Sequence, residues 1–334
     1  MFSWIQQQVP HTVDTQNVLR SCCSDYRFRT KVLLKDGRFY SHNSTRPDRL
    51  VFQRRFWRIM CQLSQIAHFL PTQLQYVANV WSVDNPATVG NVSCYNGIDG
   101  NIGYSYCPPP TCRSSLVIPD GDQRRTQTQA LEKLLPGPSF EEKKMVGWRG
   151  SLTGHKPMLY DNSPLLFNKT SRQLLLEKCK DDSRMSCKVV NWKEMMTHQA
   201  LQNNFRGIVS VAGGSYASNF ADALYYHDTV PLRQDVPAMA WFEPFFEADK
   251  HYISLNRNLS NLKRCVDELF EPALSRNMVA ISKSGRRQAQ KVFSYEFRRR
   301  HFTDLFSRYA RALRGSLQES GESWDPIALP YCRD

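Results

Sequence analysis

Phe205-Arg206-Gly207-Ile208-Val209-Ser210-Val211-Ala212-Gly213-Gly214-Ser215-Tyr216-Ala217-Ser218 is the stretch that decides the fold. Residues 205–212 are short and mostly apolar, which predicts a buried strand. A glycine-rich turn follows, and residues 219–226 then read as a helix. Glycines let a backbone approach a ligand closely, and amides at a helix start favour an anion such as phosphate. The turn is neither G-x-G-x-x-G nor a Walker A sequence, so an ordinary strand-to-helix connection fits it equally well.

Upstream, residues 145–148 form a second short strand running into Arg149-Gly150-Ser151-Leu152-Thr153-Gly154-His155-Lys156. Hydroxyls, glycines and cations in one turn suit an anion too; a solvated loop is the plainer alternative. Residues 171–180 have a helical pattern, 230–232 are extended, 251–255 are a strand and 259–270 a helix. Basic helices fill 284–313. Strands alternating with helices from about residue 145 predict a parallel sheet with helices on both faces.

Before that point the pattern differs. Residues 31–40 alternate around Asp36-Gly37, a hairpin signal. Apolar residues at helical spacing fill 54–69, where Pro71 stops the helix. Residues 76–83 read as a strand ending at Asp84-Asn85-Pro86, and polar groups at such strand ends sit where α/β folds place their sites. A lone Asp in a turn also serves as a hydrogen-bonded cap. Pro136-Gly137-Pro138 breaks a short helix at 127–135, so a domain boundary is expected there. The predicted parts are 26–137, 138–295, and C-terminal helices over 296–334 that pack back across the domains.

Composition narrows the class. The chain has 334 residues, 41% of them hydrophobic and 12% aromatic, enough for a sizeable core and too many for wholesale disorder. It contains no run of about 18 apolar residues, so no transmembrane helix is expected. A net charge of +13 implies an acidic partner without choosing one. Arg298-Arg299-Arg300 lacks any accompanying nucleic-acid motif, so it reads as a solvated helix face and no nucleic acid is expected. None of the ten cysteines forms a C-x-x-C pair, and the eight histidines lack metal-ligand spacing. An even cysteine count suits disulfides in an oxidising compartment, with Cys107–Cys112 and Cys179–Cys187 the near pairs. Sequons at Asn43, Asn91, Asn168 and Asn258 point the same way. The first residues carry no signal-peptide core, so a signal is expected upstream of this chain.

These elements, in order, resemble a family. Leu70-Pro71 with Val83-Asp84-Asn85-Pro86, Gly147-Trp148-Arg149-Gly150-Ser151, and Gly214-Ser215-Tyr216-Ala217-Ser218 are similar to motifs of glycosyltransferase family 90. So are residues 228–235, Trp241-Phe242-Glu243-Pro244-Phe245-Phe246, His251-Tyr252-Ile253-Ser254-Leu255 and Leu259-Ser260-Asn261-Leu262. That family includes protein O-glucosyltransferases acting on EGF repeats and fungal capsule-associated xylosyltransferases. The resemblance runs over roughly 26–313. It implies an α/β, GT-B-like architecture of two Rossmann-like domains facing a cleft. It also implies transfer of glucose or xylose from UDP-glucose or UDP-xylose to a protein or polysaccharide hydroxyl, without a metal or other cofactor. The compartment implied is the endoplasmic reticulum or Golgi lumen, or the exterior. Asp84 would be the general base. Donor-binding positions would be Arg149, Ser151, Lys156, Gly214, Ser215, Tyr216, Ala217 and Ser218. Two arginines of the family pattern are replaced here by Phe220 and Pro157, leaving Lys156, Arg149 and Arg206 as the nearest cations. That replacement supports an alternative, a catalytically inactive binding or structural protein on the same scaffold.

Overall fold

The computed structural model describes residues 13–14, 29–35, 38–42, 60–61, 76–81, 101–103, 105–106, 115–117, 128–152, 169–191, 194–213, 219–236, 239–314 and 324–326. The chain divides into two compact units. One comprises Met1–Arg125, Ala238–Trp241 and Tyr295–Asp334; the other comprises Thr126–Pro237 and Phe242–Ser294.

The first unit contains β1 (Arg29–Lys35), β2 (Arg38–His42), β3 (Tyr76–Trp81), β4 (Asn101–Gly103) and β5 (Ser115–Val117). The expected hairpin is present: β1 and β2 pair antiparallel with Lys35 opposite Arg38, which leaves a two-residue connection at Asp36-Gly37. With Trp324–Pro326 at its edge, the sheet runs (324–326)-β2-β1-β3-β4-β5. The pairs from 324–326 to β3 are antiparallel; β3, β4 and β5 are parallel. A doubly wound sheet is wholly or mostly parallel, so the Rossmann-like expectation does not extend to this mixed sheet, in which three of the five pairings are antiparallel. Within the expected helix at 54–69, Met60 and Cys61 are described; both are helical and buried.

The second unit is the α/β body predicted from residue 145 onward. Its strands are β6 (Met145–Gly150), β7 (Met185–Val189), β8 (Phe205–Ser210), β9 (Val230–Gln234) and β10 (Ile253–Leu255). They form one parallel sheet in the order β10-β9-β8-β6-β7. The helices are α1 (Ser171–Lys180), α2 (His198–Asn204), α3 (Phe220–Ala223), α4 (Leu262–Phe270) and α5 (Ser275–Val292). All six residues of β8 are buried, so both faces of the sheet are covered. One core cluster joins Val146, Trp148, Val209, Leu232 and Leu255 to Leu175 of α1 and to Val266 and Leu269 of α4.

The boundary lies before the short helix at 128–132, not after it as Pro136-Gly137-Pro138 suggested. Leu131 is buried, and the Leu135 carbonyl accepts from Gln199 at 3.0 Å and Gln202 at 2.7 Å, both on α2. Those contacts tie the helix to the second unit. The expected Cys179–Cys187 disulfide is formed, joining the end of α1 to edge strand β7. Cys61 is also disulfide-bonded, while Cys265 is a buried free thiol that burial pushes up to about 11. Cys107 and Cys112 lie outside the described residues.

At the amino-terminal edge of this sheet two cations are consumed by the backbone. Lys143 donates to the carbonyls of His227 and Asp228 at 2.8 Å and to Thr229 Oγ1 at 3.0 Å. Arg206 donates to the carbonyls of Phe140, Glu141 and Leu269, sandwiched between the Phe140 and Phe270 rings. Helix α5 packs closely at Gly285, where an added Cβ would lie 2.5 Å from the His251 carbonyl. No described helix is long and apolar enough to cross a membrane.

The last long helix, α6 (Tyr295–Ala312), belongs to the first unit. Its His301 is buried against Trp241, Phe297 and Phe302. Burial lowers this imidazole from the usual 6.5 to about 4. A lowered histidine pKa means the unfolded chain binds the extra proton first. Stability is therefore full above about pH 6.5 and falls as pH drops toward 4, by up to about 3 kcal/mol. His301→Phe is expected to flatten this part of the unfolding midpoint against pH. An equally steep profile in that variant would assign the acid sensitivity elsewhere.

Candidate functional site

Strand order supplies the first element of the site. The chain leaves β6 for β7 on one side, then crosses back to β8 on the other. The direction of winding reverses between β6 and β8, and open α/β sheets bind ligands outside the carboxyl ends of strands at such a point. Here the two strands also part. Their pairing ends at Gly147–Ile208, whereas β6 stays paired with β7 to Gly150–Val189 and β8 with β9 to Ser210–Arg233. The turns singled out in the sequence, after Arg149 and after Ala212, therefore leave adjacent strands at one edge.

Side chains at this edge follow. Ser151 directly follows β6, and its carbonyl and hydroxyl accept from Arg172 Nη1 at 2.7 and 3.2 Å. Arg172 is the second residue of α1, a helix started by a capping box between Thr170 and Gln173. Ser210 closes β8. Its hydroxyl and that of Ser171 are buried with no hydrogen-bond partner. Buried polar groups are normally satisfied, so two unsatisfied hydroxyls at strand and helix ends mark a place suited to a polar ligand or water. Gln234 closes β9 and is fully buried: its Oε1 accepts from the Ala212 amide at 3.0 Å, and its Nε2 donates to the Arg257 carbonyl at 2.6 Å. One amide group thus fixes the turns after β8 and β10.

The expected donor residues divide. Ser151 stands at the parting of the strands. Arg149 is on β6, but its guanidinium donates to the carbonyls of Trp148 at 2.8 Å and Ser186 at 2.5 Å, and to Ser186 Oγ at 3.0 Å. It also lies 4.9 Å from the Phe205 ring centroid. Three strong acceptors and a ring hold it against the sheet, and burial lowers its pKa. Arg206 is at the opposite edge. Lys156, Gly214, Ser215, Tyr216, Ala217 and Ser218 lie outside the described residues, as do Asp84 and Pro157. Phe220 is fully buried, with its ring 5.1 Å from that of Tyr252 and 6.2 Å from that of Phe242. It also underlies the Arg233 guanidinium, which pairs with Glu243 inside the fold. Position 220 is a core position, with no cation facing a ligand. Among the described residues no His, Cys, Asp or Glu cluster could hold a metal ion.

Arg172 and Gln234 were not singled out from the sequence. For Arg172 a signal existed: a cation in the first turn opposes the helix dipole, so that choice needs another reason. For Gln234 nothing in its neighbours distinguishes a clamp from a strand residue.

No protein-family model matches the chain, and no curated protein matches it. Among solved structures, a match is to "Crystal Structure of TarM" with a TM-score of 0.35 and 14% identity, over 52% of this chain. The match spans 37% of the TarM chain. A likeness this slight adds nothing to the geometry above.

Gln234→Leu keeps the volume but strands the Ala212 amide and the Arg257 carbonyl in the interior. The expected loss is about 2–4 kcal/mol of unfolding free energy in urea. A loss under about 0.5 kcal/mol would mean that water replaces the clamp.

Proposed function

We propose that the chain is a glycosyltransferase that takes a nucleotide diphosphate sugar at the parting of β6 and β8. The observation carrying this reading is that parting itself, with Ser151 and Arg172 on one side and the Ser210-to-Gly213 turn on the other. A diphosphate needs cations and hydrogen-bond donors, and this edge offers a guanidinium and two buried hydroxyls. The ordered resemblance to glycosyltransferase family 90 supports a UDP-sugar donor, glucose or xylose, and a protein or glycan hydroxyl as acceptor. In that reading Asp84 takes the acceptor proton as its oxygen attacks the anomeric carbon. Charge developing on the departing diphosphate is met by Arg172 and backbone amides, the kind of stabilisation that dominates such reactions. The cysteines and sequons support a secretory compartment, where the Cys179–Cys187 bond persists.

A second reading, binding without transfer, is favoured by two observations. Phe220 is core, and the Arg149 guanidinium is committed to backbone carbonyls. Both remove cations that the family pattern would direct to the diphosphate.

Calorimetry with UDP followed by a transfer assay separates the readings. The parent protein is expected to bind UDP, and Ser151→Tyr and Arg172→Gln to weaken it by about 1–3 kcal/mol. Asp84→Asn is expected to keep UDP affinity and lower turnover about 10²–10⁴-fold. UDP binding without transfer from any UDP-sugar would select the second reading. No UDP binding by the folded parent would reject both.

A further inference from the structure

Helix α5 carries five cations and no acid in 18 residues. Its inner side, with Met278, Ile281, Gly285, Ala289 and Val292, is buried. Arg286 is partly buried and donates to the Tyr225 carbonyl at 3.1 Å. The other four, Arg276, Lys283, Arg287 and Lys291, are exposed. Spacings of seven, four and four residues put them on one side of the helix, within about 80° of arc, over about 22 Å. None of the four takes part in an ion pair among the described residues.

The helices before and after it in the chain are built differently. On α4, Lys263 pairs with Asp267 at 3.4 Å and Arg264 with Glu268 at 2.8 Å. On α6, Glu296 serves Arg299 and Arg300, and Asp304 serves Arg308. A solvated helix face alternates charge in that way. On α5, by contrast, Lys283–Arg287 and Arg287–Lys291 are like-charged neighbours one turn apart, which destabilises a helix. Arg276, in the first turn, also opposes the dipole. The row is therefore under repulsion that an anion laid along it would relieve.

The shape of the row selects the anion. It is one helix wide, so it fits a chain better than a plane. No bulky apolar side chain accompanies it to enter a bilayer, and four charges alone hold a bilayer weakly. No exposed aromatic side chain lies among the cations to stack on bases. The exposed uncharged residues along it are Asn277, Ala280 and Gln290, two of them amides that hydrogen-bond hydroxyl groups. We infer that this face of α5 docks a linear acidic polysaccharide, one bearing carboxylates or sulfates at intervals along the chain. The inference is independent of the proposed transfer activity.

The test uses a heparin oligosaccharide as the probe and the intact chain. Binding is followed by fluorescence anisotropy across a range of salt. One variant combines Arg276→Gln, Lys283→Gln, Arg287→Gln and Lys291→Gln. A control of equal net charge combines Lys133→Gln, Lys144→Gln, Lys180→Gln and Lys188→Gln, all exposed and none on α5. The α5 variant is expected to bind at least tenfold more weakly at moderate salt, with the slope of log K against log salt reduced by about 3. It is also expected to melt no lower than the parent, because the repulsion is gone. The control should bind like the parent. Equal losses in both variants would reduce the effect to net charge and overturn the proposal, as would no binding by the parent. Tighter α5-dependent binding of single-stranded RNA, polyglutamate or phosphatidylserine vesicles at the same ionic strength would overturn the assignment to a polysaccharide.

Discussion

Strand β8 is the constraint on which the second unit depends. Phe205–Ser210 is buried along its whole length and hydrogen-bonds to β6 on one side and β9 on the other. A strand enclosed in this way can contribute no solvated side chain, so any chemistry must leave from its end. A Cβ at Gly207 would lie 2.7 Å from a Leu232 methyl and 2.9 Å from a Leu269 methyl, so those core side chains would have to shift to admit it. The strand lies where the winding of the sheet reverses, and its pairing to β6 stops at Ile208. The two strand ends therefore part at a reversal of winding, the place where open α/β sheets bind their ligands.

Much of this was legible in the sequence because buried parallel strands are continuous apolar runs. β6, β8, β9 and β10 and helices α1 and α4 were read close to their positions. β7 was missed for a physical reason: Met185–Val189 is an edge strand whose Lys188 and Val189 are exposed, so no apolar run marks it. Helix α2 was missed because His-Gln-Ala-Leu-Gln-Asn-Asn is polar and its role is to bind the 131–135 backbone through Gln199 and Gln202. That same contact moved the domain boundary. In the first unit the hairpin was plain from Asp36-Gly37, but three-residue strands such as β4 and β5 leave no periodicity to read.

The site was legible as turns and illegible as side chains. The sequence placed Arg149 in a turn rich in hydroxyls and glycines, which suggested an anion; it lies on β6 instead, and its partners are two carbonyls, the Ser186 hydroxyl and a ring. Phe220 occupies a position where a cation would have been expected, and burial explains it. Arg172, 21 residues beyond Ser151, reaches that serine only through the crossover helix. The net charge of +13 conceals four different fates for a cation: consumed by the backbone at Arg149 and Arg206, paired inside the fold at Arg233, paired on the surface at Lys263 and Arg264, and left facing solvent along α5. Composition cannot separate them, because each depends on what lies within a few ångströms.

The central claim is that the parting of β6 and β8 is where ligand binds. Hydrogen exchange of the intact chain with and without saturating UDP tests it most directly. Protection confined to peptides covering 147–152, 171–175 and 210–213, with the amino-terminal edge at 141–145 and 227–230 unchanged, is the predicted result. Protection elsewhere that leaves those three segments unchanged would contradict it.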